Sequence, residues 1–356
     1  AATANTAYAS SGISGLGNEA VTLSDTSLAT TVLNTLDGNT TGAVNAATVT
    51  TLTGTAATAN TAYASSGISG LGNEAVTLSD TSLATTVLNT LDDNTTGAVN
   101  AATVTTLTGT AAAANTAYAS SGISGLGNEA VTLSDTSLAA DVLNTLDGNT
   151  TGAVNAATVT TLTGTYSDVN TSYTANTAST ITGLGNEAVA LSDLSISASN
   201  LSSIDGLTTG DVTTSAITIT GTYSEINTVY TASGIDGLGD EAITASGTLT
   251  VAQANTLDGY TTGVVTATIS DTTSTTLASL TGTGNAYTIT VGSTTAAAAD
   301  LNTIDAATTV SVTATAVTTL TGTAAAANTA YASSGITGLG NEAVTLSDTT
   351  LATTVL

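Results

Sequence analysis

The chain copies itself, and this limits its possible folds more than any other feature. Residues 56–110 repeat residues 1–55 with one change, Gly38 becoming Asp93. Residues 111–165 repeat them with three, at Ala113, Ala140 and Asp141. Later units drift: 166–222, 223–283, a short one at 284–323 and a partial copy at 324–356. A length of 356 residues alone would suggest two or three domains. Tandem copies overrule that, because a short unit cannot bury its apolar side alone and must stack on its neighbour. The units are expected to form one continuous solenoid over residues 1–356.

Each full unit contains two related halves. "VTLSDTSLATTVLNTLDGNTTGAVNAAT" starts at Val21, and "VTTLTGTAATANTAYASSGISGLGNEA" starts at Val49. The elementary period is about 27 residues, within the range of solenoid coils. "AVTLSD" and "TVTTLTG" alternate and are rich in β-branched residues, as strands are. Leu28, Val32 and Leu36 lie four apart, which predicts a short helix with Asp25 or Thr26 as N-cap and Gly38 as the stop. Drifted units keep helical spacing with other residues: Tyr166, Val169 and Tyr173, then Tyr223, Ile226 and Tyr230. The expected fold class is a repeat solenoid: a parallel β-solenoid of ~27-residue coils with a short helix per coil, an α/β-solenoid. Each strand should lie ~4.8 Å from its copy in the next coil, and about thirteen coils would make a rod on the order of 60 Å long. The absence of Pro fits, since Pro would remove a ladder hydrogen bond.

Composition decides which functions are open. The chain has 26 Asp plus Glu, and no Lys, Arg, His or Cys. Nucleic acid is excluded as a partner, because phosphate binding needs cations. An anionic membrane surface is disfavoured for the same reason, and no apolar run approaches the ~20 residues of a membrane span. Disulfides, thiolate metal sites, Ser-His-Asp triads and Schiff bases have no residues to build them. Cations remain as partners for the acidic surface, and self-association through coil ends or lateral packing suits a solenoid. A chain with no Lys or Arg also gives trypsin-like proteases nowhere to cut, which fits export to a protease-exposed exterior.

Two sets of residues stand out. Asn34, Asn60, Asn89, Asn115, Asn144, Asn170, Asn227 and Asn302 share one place in the repeat. An inward Asn there could bond the next Asn in its column, giving a structural ladder; an Asn at a helix end doing local capping is the other reading. Calcium is the one cofactor these side chains suit, since it takes carboxylate, amide and carbonyl oxygens. Asp37 and Asn39 in "LDGNTTG", with Asn18 and Glu19 in "LGNEA", are its candidate ligands; Asp-Gly and Gly-Asn also form turns without an ion. The column Tyr8, Tyr63, Tyr118 and Tyr331 reads as packing with the hydroxyl in water. No catalytic residue is assigned, because the carboxylates follow the repeat and nothing singles out a unique pair. The irregular stretch 236–283, with Asp236, Asp240, Glu241, Asp258 and Asp271, is the one place where an enzyme would have to show itself, and it reads as a diverged repeat.

"ADLNTIDAATT", "LNTLDG", "TLTGTAAAANTAYASSGI" and "GLGNEAVTLSD" resemble the repeats of giant secreted cell-surface proteins of bacteria, marine cyanobacteria especially. The resemblance covers essentially the whole chain and rests on low-complexity repeats. It implies an extracellular, structural role in an outer layer, adhesive coat or fibre. "LNTLDG" is also similar to phage tail-fibre shaft repeats, which implies a stalk that presents a binding domain lying outside this segment. The chain stops at "LATTVL", in the middle of its element and without a capping repeat, so a segment of a longer array is expected, or one built into a long filament where the next coil is the cap.

Overall fold

The strands begin where β-branched residues alternate with small ones, and in the regular coils most find their partner 23 or 24 residues further on. The computed structural model describes residues 1–350, so "LATTVL" lies outside the described residues. Two compact units divide the chain, Ala1–Glu187 and Ala188–Leu356. Both are α/β repeat solenoids, in which short helices alternate with parallel strands.

In the first unit, helix Thr30–Asn39 leads to strands Val44–Asn45 and Thr51–Gly54, then to helix Ala56–Ala64. That helix leads to three strands, Ile68–Ser69, Ala75–Leu78 and Ser82–Ala84, then to helix Thr85–Asn94. The alternation of two and three strands continues through helices Ala111–Ala119, Ala140–Asn149 and Tyr166–Ala178. Consecutive helices pack against one another. Pairing is parallel throughout and runs Leu28, Leu52, Val76, Val99, Ile123. A second sheet runs Leu83, Leu107, Val131, Val154, Ile181.

This register corrects one expectation. Copies do not stack on copies. Two rungs use 47 or 48 residues of a 55-residue unit, as the step from Leu28 to Val76 and from Val76 to Ile123 shows. The surplus is taken up by an extra strand, Ser82–Ala84, which opens a new sheet beside the old one. A column therefore holds different letters of similar shape, namely two Leu, two Val and an Ile.

The ladder also overrides the helix start read from Leu28. Ser27–Ala29 is a strand, because Leu28 pairs in register with Leu52. The helix starts at Thr30, Ala29 stands at the N-cap with no side-chain bond, and the buried face is Thr30, Leu33 and Leu36. Helices that follow "TLTGT" are capped by Thr: the hydroxyl oxygens of Thr55, Thr110 and Thr165 accept from the backbone N–H groups of Thr58, Ala113 and Asp168. The Tyr-bearing helices are where the spacing puts them. Tyr166–Ala178 buries Val169 and Tyr173, and Tyr223–Thr231 buries Ile226 and Val229.

One sheet face packs on the helices. Leu52, Val76 and Val99 are buried there, while Ser27, Thr53, Ala75, Thr77, Asn100 and Ser124 point to solvent. No strand of the first unit contains an acidic residue.

The second unit follows the same plan with one irregular stretch. Its strands pair in parallel along Val189, Val212 and Ile235, and along Ile196, Ile219, Ile243 and Val265. Strand Ala242–Leu249 is eight residues long and shifts register between Thr244 and Thr248. The helix that follows strand Val265–Ile269 is only Ser274–Leu277. Regular coils resume with helices Ala298–Ala307 and Ala324–Ala332. Among the described residues no helix is long and apolar enough to cross a membrane.

The core is a series of Leu, Ile, Val and Ala side chains. Leu91 is fully buried on helix Thr85–Asn94, and its neighbour Thr90 is exposed. Leu91→Ala should lower stability by about 2–5 kcal/mol, and Thr90→Ala should stay within about 0.5 kcal/mol of the parent. Urea unfolding followed by circular dichroism measures both; equal effects would mean that the helices do not face the sheet.

Candidate functional site

The chain has no cationic side chain, so its carboxylates must find N–H and O–H donors or remain in water. The ion pair seen is between the Ala1 amino group and Asp25, at 2.7 Å. Three recurring arrangements hold the other repeat carboxylates.

The first is built by "LGNEA". Gly72 and Gly127 have φ of +136° and +135°, a conformation that turns successive N–H groups inward. Oε2 of Glu74 accepts from the N–H of Gly72 (2.8 Å) and Asn73 (3.2 Å) and from the Tyr63 hydroxyl (3.0 Å). Glu129 repeats this with Gly127 (2.8 Å), Asn128 (3.2 Å) and Tyr118 (2.9 Å). Tyr230 donates to Oε2 of Glu241 in the same way, and Tyr173 donates to Oε1 of Glu187, whose Oε2 takes the Gly185 and Asn186 N–H groups. Glu74, Glu129 and Glu187 are 0% exposed. The next coil locks the loop from outside. Thr95 and Thr150 hydroxyls donate to the Glu74 and Glu129 carbonyls at 2.7 Å. Gly97 lies so close that a Cβ on it would overlap the Glu74 carbonyl group.

These surroundings shift the ionisations. At half-buried Glu19, hydrogen bonds from backbone N–H groups, that of Gly17 foremost, hold the carboxyl below its ordinary value. Burial, together with the adjacent glutamate, pushes the Tyr63, Tyr118 and Tyr230 phenols well above theirs. The tyrosine hydroxyls expected to sit in water donate to glutamates, Tyr8 to Glu19, Tyr63 to Glu74, Tyr118 to Glu129 and Tyr331 to Glu342, and of these Tyr331 is exposed.

In the second arrangement an aspartate caps a helix of the preceding coil. Asp80 accepts from the Ala56 N–H at 2.8 Å, Asp135 from Ala111 at 2.9 Å, and Asp348 from Ala324 at 2.7 Å. Each meets the positive end of the helix dipole. In the third, Asp37, Asp92 and Asp305 at helix ends accept from Ser65, Ser120 and Ser333, each at 2.6 Å.

The asparagines do join coils, but not as a column of Asn on Asn. Side-chain amides of Asn34, Asn60, Asn89, Asn115, Asn144 and Asn302 donate to backbone carbonyls on the next helix, at Thr58, Val87, Ala113, Val142, Asp168 and Ala326, over 2.9–3.0 Å. Helix stacking puts a carbonyl, not the next Asn, within reach. Asn227 instead accepts from the Tyr260 hydroxyl at 2.7 Å. Asn170 stands in the same place on helix Tyr166–Ala178, where its carbonyl accepts from Thr174. The Asn–Asn bonds that do occur are donated by a position not placed in the ladder: Asn39 donates to Asn5 at 3.1 Å, Asn94 to Asn60 at 3.0 Å and Asn149 to Asn115 at 3.0 Å.

The calcium candidates are brought side by side in pairs. Thr40 donates to the Glu19 carbonyl at 2.7 Å and the Thr41 N–H to Gly17 at 2.8 Å, so "LDGNTTG" docks on "LGNEA". Their side chains are engaged separately: Asp37 with Ser65, Asn39 with Asn5, and Glu19 with the backbone N–H groups of Gly17 and Asn18. Among the described residues no three acidic side chains gather to hold a metal.

The Tyr–Glu bond has a pH signature. The buried phenols ionise only well above the value of about 10 that they have in the unfolded chain. Their contribution is complete below pH ~10 and is lost as the pH rises from there toward the folded value. Tyr63→Phe should therefore cost about 1–3 kcal/mol at pH 7 and show a shallower further loss above pH ~10. Urea titrations at pH 7 and above pH 10 check this, and a variant as stable as the parent at pH 7 would remove the bond from the account.

No family model, no curated protein and no solved structure matches the chain.

Proposed function

We propose that the chain is a structural extracellular repeat protein, part of a stiff rod, filament or cell-surface coat. The observation that carries this reading is how the recurring carboxylates are used. Glu74 and Glu129, Asp80 and Asp135, Asp37 and Asp92 make the same internal bonds in successive units. The aspartates tie successive coils together, and the glutamates tie the tyrosine hydroxyl to the turn of their own coil, which is structural use of recurring groups. The lack of Lys and Arg supports an exterior setting, since trypsin-like cleavage has no site. The acidic surface supports solubility and mutual repulsion of neighbouring copies.

Arrays with different numbers of the 55-residue unit test the mechanical part. Under electron microscopy each added unit should lengthen the particle by about 10 Å, two strand spacings, at constant width. Antibody to the repeats should label intact producing cells, and trypsin should not strip the label. Particles that widen as units are added, or label that appears only after the cells are opened, would overturn the proposal.

A further inference from the structure

The solvent side of the strands differs between the two units. In the regular coils an exposed threonine stands just ahead of the strand, and the threonine one rung on bonds back to it. The Thr50 N–H and hydroxyl both donate to the Thr26 carbonyl, and Thr105 and Thr160 do the same to Thr81 and Thr136. In the second unit the equivalent bond runs from the Ile217 N–H to the Leu194 carbonyl at 2.9 Å, so two aliphatic residues stand where the threonines were. Leu194 is 65% exposed and Ile217 66%. The register carries the stripe on. The Ala242 N–H donates to the Ile217 carbonyl, and half-buried Ala242 stands beside Val264, whose carbonyl accepts from Ile243. Val264 is 46% exposed and takes the place of Ala98 and Ala153. Single exposed apolar side chains are ordinary. Here the ladder sets them on four successive rungs ~4.8 Å apart, a stripe ~15 Å long.

The same coils gain charge. Asp211, in the coil of Ile217, stands where the first unit has Ala43, Ala98 and Ala153. Asp236 and Asp240, in the coil of Ala242, stand where it has Ser69 and Ser124, and Asn73 and Asn128. All three aspartates are exposed. Val212 and Ile235, next to Asp211 and Asp236, are buried, so these two carboxylates stand on the side away from the core.

We propose that the apolar stripe and the aspartates beside it form a docking surface for another protein, on a segment that carries aliphatic side chains next to Lys or Arg. The aliphatic residues would cover the stripe and the cations would meet the aspartates. A second copy of the chain does not fit, since it brings no cation and a net charge of −26. An anionic lipid surface meets the same repulsion. A purely basic segment would leave Leu194 and Ile217 in water. Four residues make a smaller patch than a stable interface needs, which places the contact in the transient class. The surface is an addition to the rod reading and does not depend on it.

Fluorescence anisotropy of a labelled peptide of alternating leucine and lysine tests the surface, with the full chain titrated in ~0.15 M sodium chloride so that diffuse attraction is screened. Saturable binding of one peptide per chain is expected, and none for the matching leucine-glutamate peptide. Leu194→Thr with Ile217→Thr should weaken the leucine-lysine peptide roughly ten-fold or more. Asp236→Ser with Asp240→Asn should weaken it a few-fold and flatten its salt dependence. Both pairs restore letters that the regular coils already carry, and circular dichroism checks that each variant folds. Absence of saturable binding, or equal binding by the parent and both variants, would sink the proposal. So would a dimer in sedimentation that is lost in the threonine variant, because the occupant would then be a second copy.

Discussion

A hydrogen bond from a backbone N–H to a carbonyl some 24 residues along the chain is the constraint on which both units rest. A two- or four-residue strand leaves nearly all its polar groups open, and only a parallel neighbour can close them. Val76 shows the geometry. Its side chain is 1% exposed, and its strand pairs with Leu52 on one side and Val99 on the other. Helix placement follows, since each helix must bridge the sheet within one such step. The alternation of two- and three-strand stretches follows too, because a 55-residue unit does not divide evenly into rungs of this length.

The second theme is electrostatics without cations. A buried carboxylate is usually matched by Arg or Lys. Here the match comes from dipoles: backbone N–H groups at "LGN", helix N-termini, and the hydroxyls of Tyr and Ser. The aspartates take their donors from a neighbouring coil, whereas the glutamates take theirs from their own turn and the helix just before it. This explains why the acidic positions recur so faithfully among exposed positions that vary, such as Gly38 and Asp93.

Much of this architecture was legible in the letters. The coil period, the parallel strands and the Tyr-bearing helices follow from repetition and spacing. The register did not follow, because repetition reveals which residues are equivalent and not which ones touch. Leu28 misled for that reason: it fits a helical stripe with Leu36, yet the ladder claims it. The carboxylate roles were partly within reach. Tyr and Glu stand 11 residues apart at Tyr8 and Glu19, at Tyr63 and Glu74, at Tyr118 and Glu129 and at Tyr230 and Glu241, and that constancy marks a pair. The helix-capping aspartates were out of reach, since their partner lies in the preceding coil and carries only an N–H.

The staggered register bears on how such a gene can grow. A single half-unit is not an interchangeable part, because the strand above it expects Val76 and not Leu83 at its side. Inserting one coil would set every later strand against the wrong neighbour, whereas duplicating 55 residues preserves every contact. Duplication of a whole unit keeps the register without repair, and the near-identity of residues 1–55, 56–110 and 111–165 is the trace such growth would leave.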